Sequence, residues 1–314
     1  MDTIINYSII IPHKNTPKLL QRCLDSIPRR KDVQIIVIDD NSDPEKVNFE
    51  EFPGINDYFI EILFTKEGKG AGYARNAGVK KAAGKWLLFA DADDFFNHCI
   101  NDILDEYVNS NADIVYFKHT SIDSDTYIPA HRATSHNSRI HQWFNSQKKI
   151  EPLLRYINPA VWSKLYRTEL IKNNNIFFDE VSISNDVTFS FLSGFHAASV
   201  SADPRALYCT TIRKDSLRHS KRNIEKTLDI FYVQCKRYRF YKEHNIPIYK
   251  ELKLARFLFK FKFHGKNSFN KAKDILSNFG FSSTEIFRIC VYDIIVITLI
   301  KAFGKLFKFK GNNY

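Results

Sequence analysis

Asp91-Ala92-Asp93-Asp94 follows directly on the apolar run Leu87-Leu88-Phe89-Ala90. Carboxylates this close raise one another's pKa unless a cation compensates them. A hard divalent cation would do so through oxygen ligands, leaving an open side for phosphate. The alternative is an Asp-rich loop that caps the next helix through Asp94 or Asn97. A second cluster, Asp39-Asp40-Asn41-Ser42-Asp43, follows Val33-Gln-Ile-Ile-Val-Ile38. It reads either as a turn built from Asx side chains or as carboxylates that hydrogen-bond a base or ribose. A Gly-rich stretch, residues 68–78, opens a helix and carries Arg75. It lacks the Gly-x-x-x-x-Gly-Lys-Ser/Thr pattern of a P-loop, and its Gly68 and Gly70 do not complete the dinucleotide fingerprint. A helix N-terminus with Arg75 on its first turns can still hold diphosphate oxygens. The alternative for Arg75 is a plain surface charge.

These groups need elements to position them. Residues 7–12 are a short apolar run closed by Pro12, which cannot continue a central ladder, and read as a buried strand. Residues 33–38, 60–64, 85–90 and 113–118 read as further strands. Residues 17–27 carry Leu19, Leu20, Leu24 and Ile27 at helical spacing, with Pro17 in the first turn. Residues 70–83 form a second helix stopped by Gly84, and residues 100–110 a third. Strand–helix alternation with continuous apolar strands indicates a mostly parallel sheet covered on both faces. Ligands of such sheets bind outside the carboxyl ends of the strands. His13–Asn15, Asp39–Asp43 and Asp91–Asp94 all stand at those ends, so three separated segments are expected to converge on one crevice. Residues 119–150 are polar, His- and Ser-rich and without clear periodicity, and read as an excursion over the site or before the second half.

The 314 residues suit one large domain or two smaller ones. At 44% hydrophobic and 26% charged residues, the composition excludes a disordered, fibrous or polytopic membrane protein. The five cysteines are widely spaced with no Cys-x-x-Cys, which fits reduced thiols rather than disulfides or zinc. No basic n-region opens the chain, so no signal peptide is expected. The net charge of +11 is unevenly placed: residues 221–314 hold 20 Lys and Arg against 7 Asp and Glu, a net +13. A basic segment points to an anionic partner.

Ser8-Ile-Ile-Ile-Pro12, Val37-Ile-Asp39-Asp40-Asn41-Ser42, Ala74-Arg75-Asn76-Ala77-Gly78 and Phe89-Ala90-Asp91-Ala92-Asp93-Asp94 occur together in that order. The set resembles the family 2 glycosyltransferases. Ala160-Val161-Trp162-Ser163-Lys164-Leu165-Tyr166-Arg167 is similar to a segment that the bacterial enzymes of this family carry downstream of the metal motif. Phe178-Asp179-Glu180, followed by Asn185-Asp186-Val187-Thr188-Phe189, resembles the family's Glu-Asp catalytic pair. The likeness covers about residues 7–220.

The resemblance implies a GT-A-type α/β fold over residues 1–220, with a nucleotide-binding part to about residue 118 and an acceptor part beyond it. It also implies an inverting transfer of sugar from a nucleotide diphosphate, by default UDP, to a hydroxyl of a glycan or lipid-linked acceptor in surface polysaccharide biosynthesis. By matching position, Pro12 and Asn15 line the nucleoside pocket, Asp40 binds the base, and Asp39 supports that loop or the ribose. Arg75 lies near the diphosphate. Asp93 is the direct ligand of Mn2+ or Mg2+, Asp91 faces ribose or metal, and Asp186 is the general base. Arg213 and His219 stand where related enzymes place a basic loop over the diphosphate. Two departures matter: Asn185 stands where Glu is usual, and His13-Lys14 precede Asn15 where aromatic or small residues are common. The alternative for Asp186 is a helix N-cap, because Val187-Thr188-Phe189-Ser190-Phe191-Leu192 follows.

Beyond residue 221 the pattern is helical, basic and aromatic. The apolar run 286–300 contains Arg288 and Asp293 and falls short of the ~20 residues a span needs. A helix in the membrane interface fits it better, giving a cytoplasmic protein held peripherally at the inner membrane face. The alternative is a helical core packed on the catalytic domain with a solvated basic face. No nucleic-acid-binding signature accompanies the charge, so no nucleic-acid partner is expected. Two other functions compete with the transferase: a sugar-phosphate nucleotidyltransferase on a similar fold, and a non-catalytic lipid- or nucleic-acid-binding protein.

Overall fold

The computed structural model describes residues 4–132, 134–213, 223–248 and 254–289. The chain divides into two compact units, Met1–Ser220 and Lys221–Tyr314.

The first unit is built on β1 (Tyr7–His13), β2 (Val33–Asp40), β3 (Ile60–Thr65), β4 (Trp86–Phe89), β5 (Phe95–Phe96), β6 (Ile114–Asp123), β7 (Lys164–Arg167) and β8 (Val200–Ile212). They form one sheet in the order β3-β2-β1-β4-β7-β6-β8-β5. The pairs β1–β2, β1–β4, β2–β3 and β6–β8 are parallel, and β7 and β5 add antiparallel pairings. The expected mixed α/β architecture with a mostly parallel sheet is the one observed. Side chains alternate across the central strands: Ile9, Ile11, Ile35 and Val37 enter one core, and Ile10, Ile36 and Ile38 the other. The period of two explains why these strands are apolar throughout, since both faces are covered. Helix α1 (Pro17–Asp25) buries Leu20, Cys23 and Leu24 on the first face, while α2 (Ala71–Lys81) places Ala74 and Val79 on the second.

Several local expectations are corrected. β1 does not stop at Pro12 but runs to His13, with Pro12 opposite Ile38. Its other neighbour, β4, ends opposite Ile10, and no partner on that side needs the N–H that proline lacks. α2 ends at Lys81, so Gly84 does not stop it. Gly84 is instead a close approach: a Cβ there would lie 2.5 Å from the Tyr7 carbonyl carbon. Gly78 answers the same need on α2, where a Cβ would lie 2.4 Å from Ile10 Cγ2.

The polar stretch 119–150 is not irregular. β6 continues to Asp123, and α4 (Thr134–Trp143) follows, then α5 (Gln147–Ile157). The buried face of α4 is His136, Ile140 and Trp143, a helical spacing in which a histidine takes an apolar position. His136 donates from Nε2 to Phe117 O at 2.7 Å, and its Nδ1 accepts from Asn158 Nδ2 at 2.5 Å. α3 (Ile100–Tyr107), α6 (Thr168–Asn173) and α7 (Asp186–His196) complete the helices of this unit.

The second unit, where described, contains α8 (Ile224–Glu243), α9 (Leu254–Phe263) and α10 (Lys266–Asn278). Asn223 caps α8 by accepting from Lys226 N. Phe231, Cys235, Leu258, Phe261 and Leu276 form its core, while Arg256, Lys260 and Lys262 stand exposed. No helix among the described residues is long and apolar enough to cross a membrane. The apolar run expected to lie in the membrane interface falls mostly in residues 290–314, outside the described residues.

Lys164 on β7 is 2% exposed. Its Nζ donates to Asn158 O at 3.0 Å and lies 5.1 Å from the Tyr116 ring centre. Burial pushes its ammonium down to about 7, against the pull of the Asp186 charge. The unfolded chain keeps this proton to about pH 10, so between pH 7 and 10 the unfolded state binds more protons and the parent gains stability as pH rises. Lys164→Met has no such gain. Its Tm relative to the parent is therefore expected to be highest near pH 6 and to fall as pH rises above 7. A difference that stays flat from pH 6 to 9 would contradict the lowered folded-state pKa.

Candidate active site

A cleft of about 350 Å3 opens at the carboxyl ends of β1 and β4. Pro12, Lys14, Arg75, Asp91, Asp93 and Asp186 line it, with Asp94, Arg132, Thr211, Arg213 and the 182–185 loop. Residues far apart in sequence thus meet in one place.

β4 ends where Asp91, Asp93 and Asp94 begin, and ligand oxygens from all three lie within 4.8 Å of one another. Burial, then the neighbouring carboxylates, raise Asp93 and Asp94 above the usual carboxylate range, Asp94 well above it. Neither Asp94 nor Asn97 caps α3, whose N-cap position is Cys99. Asp94 Oδ1 instead accepts from Thr211 N at 2.6 Å. Asn97 Nδ2 donates to Ala206 O at 2.8 Å. The loop is held from several sides. Arg22 of α1 donates to Asp93 O at 2.6 Å, and Thr211 Oγ1 donates to the same oxygen at 2.7 Å. Asp91 N donates to the Tyr208 hydroxyl at 2.8 Å. Tyr208 is stacked against Trp162 at 5.4 Å.

Arg75 is not a surface charge: it is 6% exposed. Its Nη2 donates to Asp91 Oδ1 at 2.5 Å and its Nη1 to Asn185 Oδ1 at 2.8 Å. The guanidinium also lies 5.4 Å from the Phe178 ring centre. Arg213 Nη2 meets Asp93 Oδ2 at 2.9 Å. Asn185 occupies the N-cap position of α7 without a side-chain cap bond, and Asp186 is the first helical residue. Asp186 therefore does not act as the N-cap. Burial raises its carboxyl, Arg75 opposes that rise, and Asp91 adds to it.

Asp39, Asp40 and Asn15 do not line this cleft. Asp39 Oδ2 binds His13 Nδ1 at 2.7 Å and accepts from Ser42 Oγ at 2.5 Å, while its Oδ1 accepts from Ser42 N at 2.9 Å. His13 Nε2 accepts from Thr16 N at 3.1 Å, so the proton sits on Nδ1 and donates to Asp39. Burial alone would raise Asp39, but the bonds from His13 and Ser42 outweigh it and hold its carboxyl below the usual range. Of the two roles expected for Asp39, loop support is the one its bonds perform. Asn15, at φ 59°, donates its N–H to Ser42 Oγ and accepts from Asp43 N, both at 2.8 Å. Asp40 Oδ2 accepts from Gly70 N at 2.8 Å, but its buried Oδ1 has no partner. His219 lies outside the described residues.

Sequence reasoning missed Arg22, Arg132, Tyr208 and Thr211 as supports of the site, because their partners are distant in sequence. Asp94 was read as part of the acidic cluster without a role of its own in the site.

Residues 8–172 match the family model described as "Glycosyl transferase family 2". The chain belongs to this family. It is 31% identical over 198 residues to the "Uncharacterized glycosyltransferase EpsJ" of Bacillus subtilis, covering 61% of this chain and 56% of EpsJ. Thus the chain spans little more than half of that relative. Among solved structures it resembles Staphylococcus aureus TarS 1–349 in complex with UDP-GlcNAc, with a TM-score of 0.60 and 20% identity. That match covers 88% of this chain and 80% of that one. It also resembles the mannosyltransferase PcManGT from Pyrobaculum calidifontis in complex with GDP-Man and Mn2+. There the TM-score is 0.54 and the identity 15%, over 94% of this chain and 81% of that one. These structural likenesses establish the GT-A fold for a family 2 chain.

The frame around Asp39 makes a stability prediction. Hydrogen bonds to a buried charged group typically contribute about 1.5–3 kcal/mol. Asp39→Ala is expected to lose stability of that order at pH 7, read by urea denaturation. Because the folded pKa is depressed, the loss is full above about pH 4. It shrinks as pH falls below that value; a pH-independent loss would mean that the ionised carboxylate is not the stabilising species.

Proposed function

We propose that this chain is a metal-dependent, inverting glycosyltransferase. It would move a sugar from a nucleotide diphosphate, UDP by default, to a hydroxyl of a glycan or lipid-linked acceptor in surface polysaccharide biosynthesis. The observation that carries the reading is the single cleft that brings Asp91, Asp93, Asp186, Arg75 and Arg213 together. Family membership and the likeness to nucleotide-sugar complexes support it.

Roles follow from position. Asp40 keeps one buried oxygen unpaired, which suits an N–H of the base; an unmade bond there costs about 1–3 kcal/mol, so a ligand donor gains by making it. Pro12 and Asn15 shape the nucleoside side of the site, Pro12 from the wall and Asn15 by fixing the loop against Ser42 and Asp43. Arg75 and Arg213 stand where charge develops on the departing diphosphate. The oxygen-only donor set, with two carboxyls pushed upward by mutual charge and burial, fits a hard divalent ion. Asp93 and Asp91 would hold Mn2+ or Mg2+, with Asp94 completing the acidic group. When bound, the ion supplies Lewis-acid neutralisation of the leaving diphosphate. Asp186 takes the acceptor hydroxyl proton as its oxygen attacks the anomeric carbon from the face opposite the diphosphate, which inverts the centre. Its raised pKa brings it nearer to neutrality, where a general base works best. His219 would join Arg213 over the diphosphate. The basic second unit would hold the protein at the cytoplasmic membrane face; Phe263, 86% exposed beside Lys262 in α9, supports such a contact.

The test is nucleotide release from a panel of nucleotide sugars with Mn2+ or Mg2+, with water as the acceptor where none is known. Asp186→Asn is expected to lower turnover about 10²–10⁴-fold with little change in donor KM. Asp93→Asn is expected to abolish the metal-dependent rise in Tm as well as turnover. Unchanged turnover in both variants would refute the mechanism.

A further inference from the structure

Cations line the cleft at Lys14, Arg75, Arg132 and Arg213. Three of them have a carboxylate beside them: Arg75 has Asp91, Arg213 has Asp93, and Lys14 has Asp40 at 3.7 Å. Arg132 makes no direct ion pair among the described residues, although its charge acts on Asp94 and opposes the rise of that carboxyl. It is nevertheless held in place from two directions. Its backbone N–H donates to Ser121 Oγ at 3.0 Å, and Ala130 N donates to Ser121 O at 2.8 Å, which ties the segment to β6. Its Nη1 donates to Thr211 O at 3.1 Å. Thr211 is fixed in turn, with its N–H on Asp94 and its hydroxyl on the Asp93 carbonyl. The guanidinium is thus anchored next to the acidic group through one residue whose other polar atoms are already committed.

An arginine offers five N–H donors in a planar fork. One is taken by Thr211 O, and Arg132 is among the residues that line the cleft. A guanidinium positioned by main-chain bonds, close enough to Asp94 to act on its charge but in no direct ion pair among the described residues, is arranged for an anion that arrives from outside. The planar fork matches phosphate oxygens two at a time. We infer that Arg132 is a phosphate-binding residue of this cleft, taking a phosphate oxygen of a bound substrate. The inference rests on the nucleotide-sugar reading above. The same chemistry could come from the donor's diphosphate or from a phosphate borne by the acceptor.

The experiment uses the full chain and two variants, Arg132→Gln and Arg132→Lys. Calorimetry with Mn2+ measures uridine and whichever of UDP and GDP binds the parent, and glycerol 1-phosphate is tested as an inhibitor of donor hydrolysis. If the phosphate is the donor's, Arg132→Gln weakens the nucleoside diphosphate about 10-fold or more while uridine binds as before. Arg132→Lys recovers part of the loss, because it keeps the charge without the fork. If the phosphate is the acceptor's, diphosphate affinity is unchanged and the inhibition by glycerol 1-phosphate seen with the parent disappears in Arg132→Gln. A parent that binds diphosphate, together with an Arg132→Gln variant indistinguishable from it with every probe, overturns the inference alone. A parent that binds neither UDP nor GDP overturns the nucleotide-sugar reading and this inference together.

Discussion

The site depends on holding Asp91, Asp93 and Asp94 together against their own repulsion. At an effective dielectric of about 20, two unit charges about 5 Å apart repel by roughly 3 kcal/mol. With ligand oxygens within 4.8 Å of one another, a free loop would relieve that repulsion by spreading. Here it is tied down by Arg22 from α1, Arg75 from α2, and Tyr208, Thr211 and Arg213 from β8 and its end. The sheet order makes this possible: β1 pairs with β4, which places the end of α1 within reach of the acidic loop, while β8 pairs with β5 directly after it. The burial of these carboxylates and the crossover of the strands are two sides of one arrangement.

Next to that acting group lies a frame that does different work. His13, Asn15, Asp39 and Ser42 consume one another's polar atoms and join the ends of β1 and β2. A carboxylate whose acceptor positions are filled by the protein has little left for a ligand. Asp40, one residue on, keeps a buried oxygen unpaired. Adjacent residues of identical type thus divide into a support and a group with capacity to spare, and only the hydrogen-bond partners tell them apart.

The central strands and the acidic exit of β4 were legible because both signals are local: an apolar run buried on two faces, and polar residues at its exit. The second acidic cluster, Asp39–Asp43, was expected in the same crevice but does not line it, because Asp39 is turned to bonds within its own loop and Asp40 to Gly70 N. The helix α4 was not, because the buried position that should announce it is His136, whose burial is offset by Phe117 O and Asn158 rather than by an apolar neighbour. The same reason hid Lys164, a cation in the core of β7. Glycines were read by the commonest rule, helix termination, whereas Gly84 serves a close approach to Tyr7. The supports of the acidic loop escaped notice for a more general reason. Arg22 and Thr211 differ from any other arginine or threonine only through partners about 70 and 118 residues away.

Asn185 shows how one substitution can be read through this electrostatic arrangement. A glutamate at that position would add a further carboxylate beside Arg75, near Asp91 and Asp186. Asn185 accepts from Arg75 Nη1 through its Oδ1, but it contributes no charge. The guanidinium is then shared between Asp91, which it touches, and Asp186, whose burial it opposes. An amide in this place leaves more of the Arg75 charge to favour the ionised form of Asp186 than a carboxylate would, because a carboxylate would both claim that charge and repel the same group. The departure from the family pattern therefore leaves Arg75 with a hydrogen-bond acceptor and relieves the charge crowding around the proposed base.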